Sequence, residues 1–390
     1  MQLRLLYLYR NLTRNWLRTL LTCAAVALPI VIYVLSAAVI EGLESYLDNS
    51  AKQLRLAVTH KSSIINPLPA GHRAKIESLD PTRTRLTAVC GLRWIGGRVE
   101  NVSTPLSTIA ADADTFFATY PDHQLAPDEI EAWQRDRQAI IVGRATAGQM
   151  GWNKGQRISI LPTLPPYHPI EFHVISVAED AEDPVTNWFR RDYLEELLDE
   201  TGAPTGLVSF LFVKCATKAD LDHYRVAIDQ FFAGSIDETK TQDEKAFINE
   251  YITQQFNLPR NLAILCAVTV FVAVMAAANT MSMSFRDRTN EFATLKSMGF
   301  GRWFTFVLIQ SESLLLCAAG GLAGALVPFG LFTWTPLKDY PVPLIQTLYI
   351  QPVVCVRAVG MSLLIGVAAA IWPSWQVLRL KVVEALRSLE

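Results

Sequence analysis

The sequence predicts a membrane α-helical protein with four transmembrane helices and a large mixed α/β domain inserted between helices 1 and 2. Three observations lead to this prediction. Of the 390 residues, 51% are hydrophobic, and they concentrate in four long segments. About two hundred more polar residues separate the first segment from the other three. Within that stretch, Pro and Gly divide the chain into pieces of the length of short strands and helices.

The four apolar segments are long enough to cross a bilayer. A hydrocarbon core of about 30 Å requires roughly 20 apolar residues in a helix. Pro29 lies inside the first segment, where we expect a kink of the kind that membrane helices tolerate. The predicted spans cover residues 17–40, 262–285, 304–332 and 353–375.

Basic residues in the short flanking segments predict the orientation. Four arginines lie before or at the very start of the first span, and the connector between the second and third spans carries Arg286, Arg288, Lys296 and Arg302. The connector between the third and fourth spans has only one lysine, beside an aspartate. The positive-inside rule therefore places both termini and residues 286–303 in the cytoplasm, and the inserted domain outside.

The inserted domain is predicted to be mixed α/β, as one domain or two small subdomains. Strands are expected at residues 54–60, 86–94, 139–142, 157–161, 171–177 and 207–214, and helices at 70–79, 128–135, 188–200 and 219–232.

Both ends of the insert are predicted to continue as helices into the spans. An apolar face persists beyond the first span through Leu43 and Leu47. Before the second span, Thr241 and Glu244 have the spacing of a helix capping box. The two helices would then carry the outer domain as a stalk. The alternative is that they are ordinary helices packed on the core of the domain.

Several motifs around the spans resemble the FtsX/MacB-type ABC permeases. One is the connector, Arg286-Asp-Arg-Thr-Asn-Glu-Phe-Ala-Thr-Leu-Lys-Ser-Met-Gly299, which is followed by Glu312 and by a glycine-rich face from Gly320 to Gly324. Two further segments, residues 373–387 near the C-terminus and residues 10–18 near the N-terminus, are similar to the same family. The resemblance covers roughly residues 1–50 and 255–390. Residues 112–117, 141–145 and 151–158 are similar to the extracytoplasmic domain of MacB-type members.

The resemblance implies a split transporter. The chain has no G-x-x-x-x-G-K-[ST] motif, so it has no P-loop to bind ATP phosphates. We therefore expect a non-catalytic permease without a directly bound cofactor, with ATP and Mg²⁺ on a partner ATPase.

The resemblance also implies how the chain is divided into domains. The expected segments are an N-terminal helix, first span and stalk (1–48), a MacB-like outer domain of two subdomains (49–240), a stalk helix and second span (241–285), a coupling helix (286–303), the last two spans (304–376) and a cytoplasmic tail (377–390).

The resemblance also implies a role for the connector as a coupling helix that docks on the ATPase. Phe292, Leu295 and Met298 are expected to share one face of it, with Glu291 and Lys296 beside that face. The alternative is an amphipathic helix that lies on the lipid headgroups.

Three residues of the third span are candidates for intramembrane roles. Glu312 is an ionisable residue in an apolar segment, which by default suggests function. Since it lies near the cytoplasmic end, it could instead reach the interface or cap a neighbouring connector. Gly320 and Gly324 form a G-x-x-x-G motif that permits close approach of another helix. This approach is expected within the bundle or a dimer, rather than at a substrate groove.

Other functional classes find little support. The net charge is −2, which does not suggest nucleic acid as a partner. None of the six histidines has metal-ligand spacing, and no nucleophile motif of a hydrolase is present. We predict no catalytic and no metal site. Of the six cysteines, Cys90 and Cys215 lie in the insert, where pairing is open.

The predicted function is mechanotransmission in the bacterial inner membrane. ATP hydrolysis on two copies of an ABC ATPase would move the outer domain of a homodimer. The motion would drive export or efflux, or extract lipids or lipoproteins from the periplasmic side. A periplasmic adaptor, an outer-membrane channel and membrane lipids are the other expected partners. The alternative is an FtsX-like signal transmitter that activates a cell-wall hydrolase without transport. The large insert favours transport.

Overall fold

The computed structural model of the protein describes residues 16–100, 104–179, 183–335 and 350–379. The described chain divides into two compact units. The membrane unit contains residues 16–41, 257–335 and 350–379, and the inserted domain contains residues 42–256. Among the N- and C-terminal motifs, residues 10–15 and 380–387 lie outside the described residues.

The membrane unit is built from four long helices, as the sequence predicted. Each is long and apolar enough to cross a bilayer. Pro29 lies within the first helix, which continues through it. The helices are α1 (Trp16–Lys52), α9 (Leu258–Asp287), α11 (Arg302–Trp334) and α12 (Pro352–Arg379).

Small residues allow α11 to approach both α1 and α12. A Cβ added to Gly320 would lie 2.7 Å from the carbonyl oxygen of Cys23 in α1. At Gly324 the corresponding distance to the carbonyl oxygen of Ala27 is 2.6 Å. On the side facing α12, the hydroxyl of Ser313 donates a buried 2.8 Å hydrogen bond to the carbonyl of Gly366. The third span therefore lies between the first and the fourth, held by close backbone contact.

The inserted domain is organised around one nine-stranded sheet with the order β11-β1-β10-β3-β4-β8-β5-β7-β6. Two neighbouring pairs, β4–β8 and β5–β7, are parallel and the others are antiparallel. The strands of this sheet are β1 (Arg55–His60), β3 (Leu86–Trp94), β4 (Thr108–Ala111), β5 (Ala139–Gly143), β6 (Arg157–Ile160), β7 (Ile170–Ala178), β8 (Asn187–Arg190), β10 (Phe210–Cys215) and β11 (Thr239–Asp243). A separate pair is formed by β2 (Leu68–Pro69) and β9 (Leu207–Val208).

Seven helices and the last turns of α1 accompany the sheets in the described part of the domain. Five of the seven have ten residues or fewer. The seven helices are α2 (His72–Glu77), α3 (Phe116–Thr119), α4 (Pro127–Arg135), α5 (Arg144–Met150), α6 (Arg191–Glu200), α7 (Lys218–Phe231) and α8 (Glu244–Phe256).

Two hydrophobic cores lie along this one sheet. The first surrounds β5 and β7 and includes Phe172 and Leu194. The second surrounds β1 and β10 and includes Leu56 and Ile228. The sheet is continuous between the two cores.

Two predicted helical segments are strands in the structure. Residues 188–190 belong to β8, so the helix predicted at 188–200 begins only at Arg191. Thr241 belongs to β11 and is not a helix cap; its hydroxyl donates to Asp229 at 2.6 Å. In both cases the pairing partner is distant in sequence, and β-pairing outweighs the local preference.

The helices at the two ends of the insert pack within the domain. Leu43 and Leu47 of α1 are buried, and so is Phe247 of α8. Lys245 and Asp48 form an ion pair of 2.5 Å between the two helices. The second of the predicted continuous stalks is interrupted, because α8 and α9 are separated by Asn257, which has φ +44°.

The cysteines are unpaired among the described residues. Cys90 lies opposite Phe212 in the β3–β10 ladder, and Cys215 lies opposite Leu86. Four residues along a strand correspond to about 13 Å, whereas a disulfide requires Cα atoms within about 7 Å. A Cys90–Cys215 bond is therefore incompatible with this sheet register.

Candidate functional site

The connector between the second and third membrane helices contains a short helix, α10 (Thr289–Ser297), with one face against the bundle. Phe292 is 1% exposed and Ala293 is fully buried. Leu295 packs at the edge of the same cluster. The cluster draws its other members from the ends of three membrane helices, namely Phe285, Leu308, Ile309 and Ala370.

The sequence of α10 suits a short helix with defined ends. Glu291 lies in its first turn and Lys296 in its last, as the helix dipole favours. The helix ends before Gly299, whose φ of +89° turns the chain toward α11. Met298 lies in this turn, so it departs from the face predicted for it with Phe292 and Leu295. Helical periodicity no longer applies where the helix has ended.

Arg288 links the start of α10 to the third membrane helix. Its Nη1 donates to Oε2 of Glu312 at 2.8 Å, and its Nε donates to Oε2 of Glu291 at 3.0 Å. Its guanidinium carbon also lies 5.1 Å from the centre of the Phe292 ring. The side chains of Arg288 and Glu312 are only 7% and 12% exposed. Glu312 thus joins the connector through a largely buried ion pair.

The turn between α10 and α11 and the first residues of α11 present exposed apolar side chains. Met298 is 63% exposed, Phe300 43% and Trp303 71%. The rings of Phe300 and Phe304 pack at 4.9 Å between centroids. Nearby, partial burial and then the charge of Arg302 lower the pKa of Lys296 below its ordinary value. We call Met298, Phe300 and Trp303 the connector tip.

The structure thus brings some of the predicted residues together and separates others. Glu291, Phe292 and Glu312 contact Arg288. Leu295 packs against the same cluster as Phe292, and Lys296 and Met298 lie at the other end of α10. Gly320 and Gly324 lie further along α11, against α1.

Sequence reasoning missed three residues of this site. Arg288 was used only to predict orientation, although an intramembrane glutamate calls for a nearby cation. Phe300 and Trp303 were not predicted as site residues. The signal that could have found both is the pair of glycines at 299 and 301, which predicts a turn and hence exposed aromatic side chains.

No group of three or more potential metal ligands is present among the described residues. What the connector offers chemically is an apolar surface and a buried ion pair. Both fit a role in protein contact and transmission of movement.

Comparison with known proteins identifies the family of this region. Residues 263–382 match the model of the FtsX-like permease C-terminal family. This match covers the second to fourth membrane helices and the whole connector. A segment of 155 residues is 24% identical to the macrolide export ATP-binding/permease protein MacB of Syntrophobacter fumaroxidans.

The C-terminal membrane region, residues 263–382, is thus of the FtsX-like permease type.

The chain matches only part of its curated relative. The aligned segment is 40% of this chain and 21% of the MacB protein. The chain thus spans about a fifth of the length of that relative.

Two solved structures are similar to part of the chain. One is the extracellular domain of the noncanonic ABC-type transporter YknZ from Gram-positive bacteria, with a TM-score of 0.34 and 9% identity, covering 48% of this chain and 99% of that domain. The other is a domain of a permease protein from Porphyromonas gingivalis, with a TM-score of 0.29 and 11% identity, covering 48% and 85%.

Proposed function

We propose that this permease is the membrane subunit of an ABC transporter whose ATPase is a separate chain. ATP hydrolysis on that chain moves the connector, and the movement passes through the membrane helices to the inserted domain. One observation carries the proposal. The helix α10 is buried against the ends of three membrane helices, while the turn that follows it exposes an apolar tip.

The connector tip is the docking surface for the ATPase in this proposal. Exposed Trp, Phe and Met side chains are typical of the centres of protein interfaces. Phe292 and Leu295 do not take part in this contact directly, because they are covered by the bundle. Instead, Phe292 and Leu295 hold α10 against Leu308 and Ile309 of α11. A displacement of the connector tip would therefore be transmitted to α11.

The buried pair of Arg288 and Glu312 supports the transmission step. A largely buried ion pair resists separation, because either charge left alone would be poorly solvated. The pair therefore makes the start of α10 and the third turn of α11 move together.

A second buried pair supports transmission in the inserted domain. Arg55 begins β1 after α1, and Glu244 begins α8. Their side chains form two hydrogen bonds of 2.6 and 3.0 Å and are 2% and 6% exposed. The two points at which the chain enters and leaves the domain are thereby joined.

The orientation in this proposal follows from the basic residues of the connector and tails. Both termini and the connector are cytoplasmic, the inserted domain is extracytoplasmic, and the membrane is the bacterial inner membrane. Two permease chains pair with two ATPase chains, which carry the ATP and Mg²⁺. An adaptor, an outer-membrane channel and membrane lipids are the further partners proposed.

The work performed is export or efflux of a substrate, or extraction of a lipid or lipoprotein, from the periplasmic side. The same coupling would serve a transmitter that activates a cell-wall hydrolase. We favour transport, because the inserted domain is large and has two hydrophobic cores.

Co-purification of the ATPase tests the docking surface. We expect an ABC ATPase to co-purify with the tagged wild-type chain from its own organism. Met298→Glu and Trp303→Glu place a charge on the exposed tip without filling buried space. Each should lower the yield of ATPase about tenfold or more, as expected for interface residues of about 2 kcal/mol.

Ile65→Glu provides the matched control. Ile65 is an equally apolar residue, 79% exposed, on the inserted domain. It should retain the ATPase at the wild-type level. Equal retention by the tip variants, or the absence of any ATPase from the wild-type preparation, would show that the proposal is wrong.

A further inference from the structure

The fourth membrane helix, α12, carries an arginine on its outward face. At 100° per residue, five exposed positions lie within about 60° of one another around the helix. They are Val353, Arg357, Gly360, Leu364 and Ile371, and the three aliphatic side chains are 50–71% exposed. The other side of α12 is buried in the bundle. Arg357 thus places a positive charge in an apolar stripe that faces away from the bundle.

Arg357 has no counter-charge among the residues that the structure describes. Its guanidinium forms no ion pair and no hydrogen bond with them. In contrast, Arg288 is paired with Glu312 at 2.8 Å. Arg357 lies five residues beyond Pro352, the first residue of α12, which corresponds to about 8 Å along the helix. An arginine at this depth in a membrane is costly unless its guanidinium reaches a partner or the headgroup region.

Gly360 leaves a gap on the same face of α12, about one turn deeper than Arg357. A Cβ added to Gly360 would have no atom within 4 Å. Glycine is a poorer helix former than alanine, and at this position no close contact within the described chain requires it. The gap is therefore open to a molecule outside the chain.

We propose that Arg357 and Gly360 form a binding site for a phospholipid, whose phosphate pairs with the guanidinium and whose glycerol group lies over Gly360. A guanidinium and a phosphate match each other through two parallel hydrogen bonds. The acyl chains then continue along Leu364 and Ile371, which are apolar and uncovered. A protein helix packed at Gly360 would instead bury the charge of Arg357, which is unfavourable without a partner.

The inference rests on the orientation in the proposed function, which places the start of α12, and hence this lipid, in the extracytoplasmic leaflet. The lipid site does not involve the connector tip. Loss of lipid binding and loss of ATPase co-purification are therefore separate results.

Titration of the purified full-length chain with dioleoylphosphatidylglycerol, read by native mass spectrometry, tests the site. Arg357→Met should weaken the tightest lipid-binding step about tenfold or more, as expected when hydrogen bonds to a charged group are lost. Arg357→Lys keeps the charge without the planar donors, so its affinity should be intermediate. Dioleoylglycerol, which has the same acyl chains but no phosphate, should bind equally to the wild type and to Arg357→Met.

Gly360→Leu tests the gap without changing any charge. It should weaken binding of the phospholipid about fivefold or more, because the added side chain fills the space for the glycerol group. Val367→Leu is the matched control, since Val367 is another exposed position of α12, about two turns deeper. Arg286→Met removes an exposed arginine at the end of α9 and is the control for charge. Both controls should bind the lipid as the wild type does.

Three results would overturn the proposal. Equal affinity of the wild type and Arg357→Met, or an equal loss in Arg286→Met, would mean that the lipid adsorbs without a specific partner. Unchanged binding by Gly360→Leu would mean that Arg357 only reaches the headgroup region and that α12 has no lipid site. Displacement of the lipid by an excess of inorganic phosphate would identify free phosphate as the ligand instead.

Discussion

Arg288 is in contact with three parts of the connector site at once. It bonds to Glu291 on α10 and to Glu312 on α11, and it lies near the ring of Phe292. Because Arg has five donors in a fixed planar arrangement, one guanidinium can hold two carboxylates. This arrangement explains why an ionisable residue is tolerated at position 312.

Glu312→Gln should destabilise the membrane unit. It removes the charge that compensates Arg288 but keeps the size of the side chain. Since Glu291 remains as a second partner of Arg288, we expect the free energy of unfolding to fall by about 1.5–3 kcal/mol, as for the loss of a hydrogen bond to a charged group. Thermal unfolding of the purified full-length chain in detergent measures the change.

The neighbouring Ser311→Ala is the control, because the Ser311 hydroxyl donates to the Leu308 carbonyl of its own helix and has no other partner among the described residues. Ser311→Ala should leave the midpoint temperature of thermal unfolding unchanged. A double-mutant cycle with Arg288→Met then isolates the pair. Strictly additive losses would mean that the two side chains do not stabilise each other.

The third membrane helix, α11, depends on glycines for its position. Its Gly324 faces the backbone of α1, and a Cβ there would lie 2.8 Å from the Cβ of Ile30. Backbone atoms on a packed helix cannot move aside cheaply. In contrast, no atom lies within 4 Å of a Cβ added to Gly360 in α12.

Gly324→Ala should therefore separate α1 from α11. We expect a destabilisation of about 1–3 kcal/mol, the usual cost of overpacking. Gly360→Ala, the matched control, should be neutral or stabilising by up to about 1 kcal/mol, because alanine is the better helix former. The free energies of unfolding of both variants in the same detergent provide the comparison. Equal stability of the two would contradict the close approach of α1 and α11.

The elements differ in how far the sequence determines them. The four spans and β3 could be predicted, because long apolar runs and alternating patterns report burial directly. The strand β11 could not, since its residues Thr-Lys-Thr-Gln-Asp are polar and resemble a helix start. Its pairing with β1, nearly two hundred residues earlier, and the bonds from Thr241 to Asp229 determine its structure.

The candidate site also contains features that the sequence predicts and others that it does not. Glu312 and the face of Phe292 and Leu295 could be located from hydropathy and periodicity. The pairing of Arg288 with Glu312 could not, because it depends on how α9, α10 and α11 pack. The exposed position of Met298 depends on where α10 ends, which local sequence predicts poorly.

For the whole molecule, the central claim is that ATP hydrolysis on another chain changes the inserted domain through the connector. The permease has two ion pairs suited to this task, Arg288–Glu312 beside the connector and Arg55–Glu244 where the chain enters and leaves the inserted domain. Each pair lies within one of the two units.

Limited proteolysis of the inserted domain in the reconstituted complex with the co-purified ATPase is the most direct test. ATP should change the cleavage pattern of the wild-type chain, and a non-hydrolysable analogue should trap one state. Met298→Glu should remove the ATP-dependent change, while Ile65→Glu should preserve it. An ATP-dependent change that persists in Met298→Glu, or one that is absent from the wild-type complex, would contradict the account.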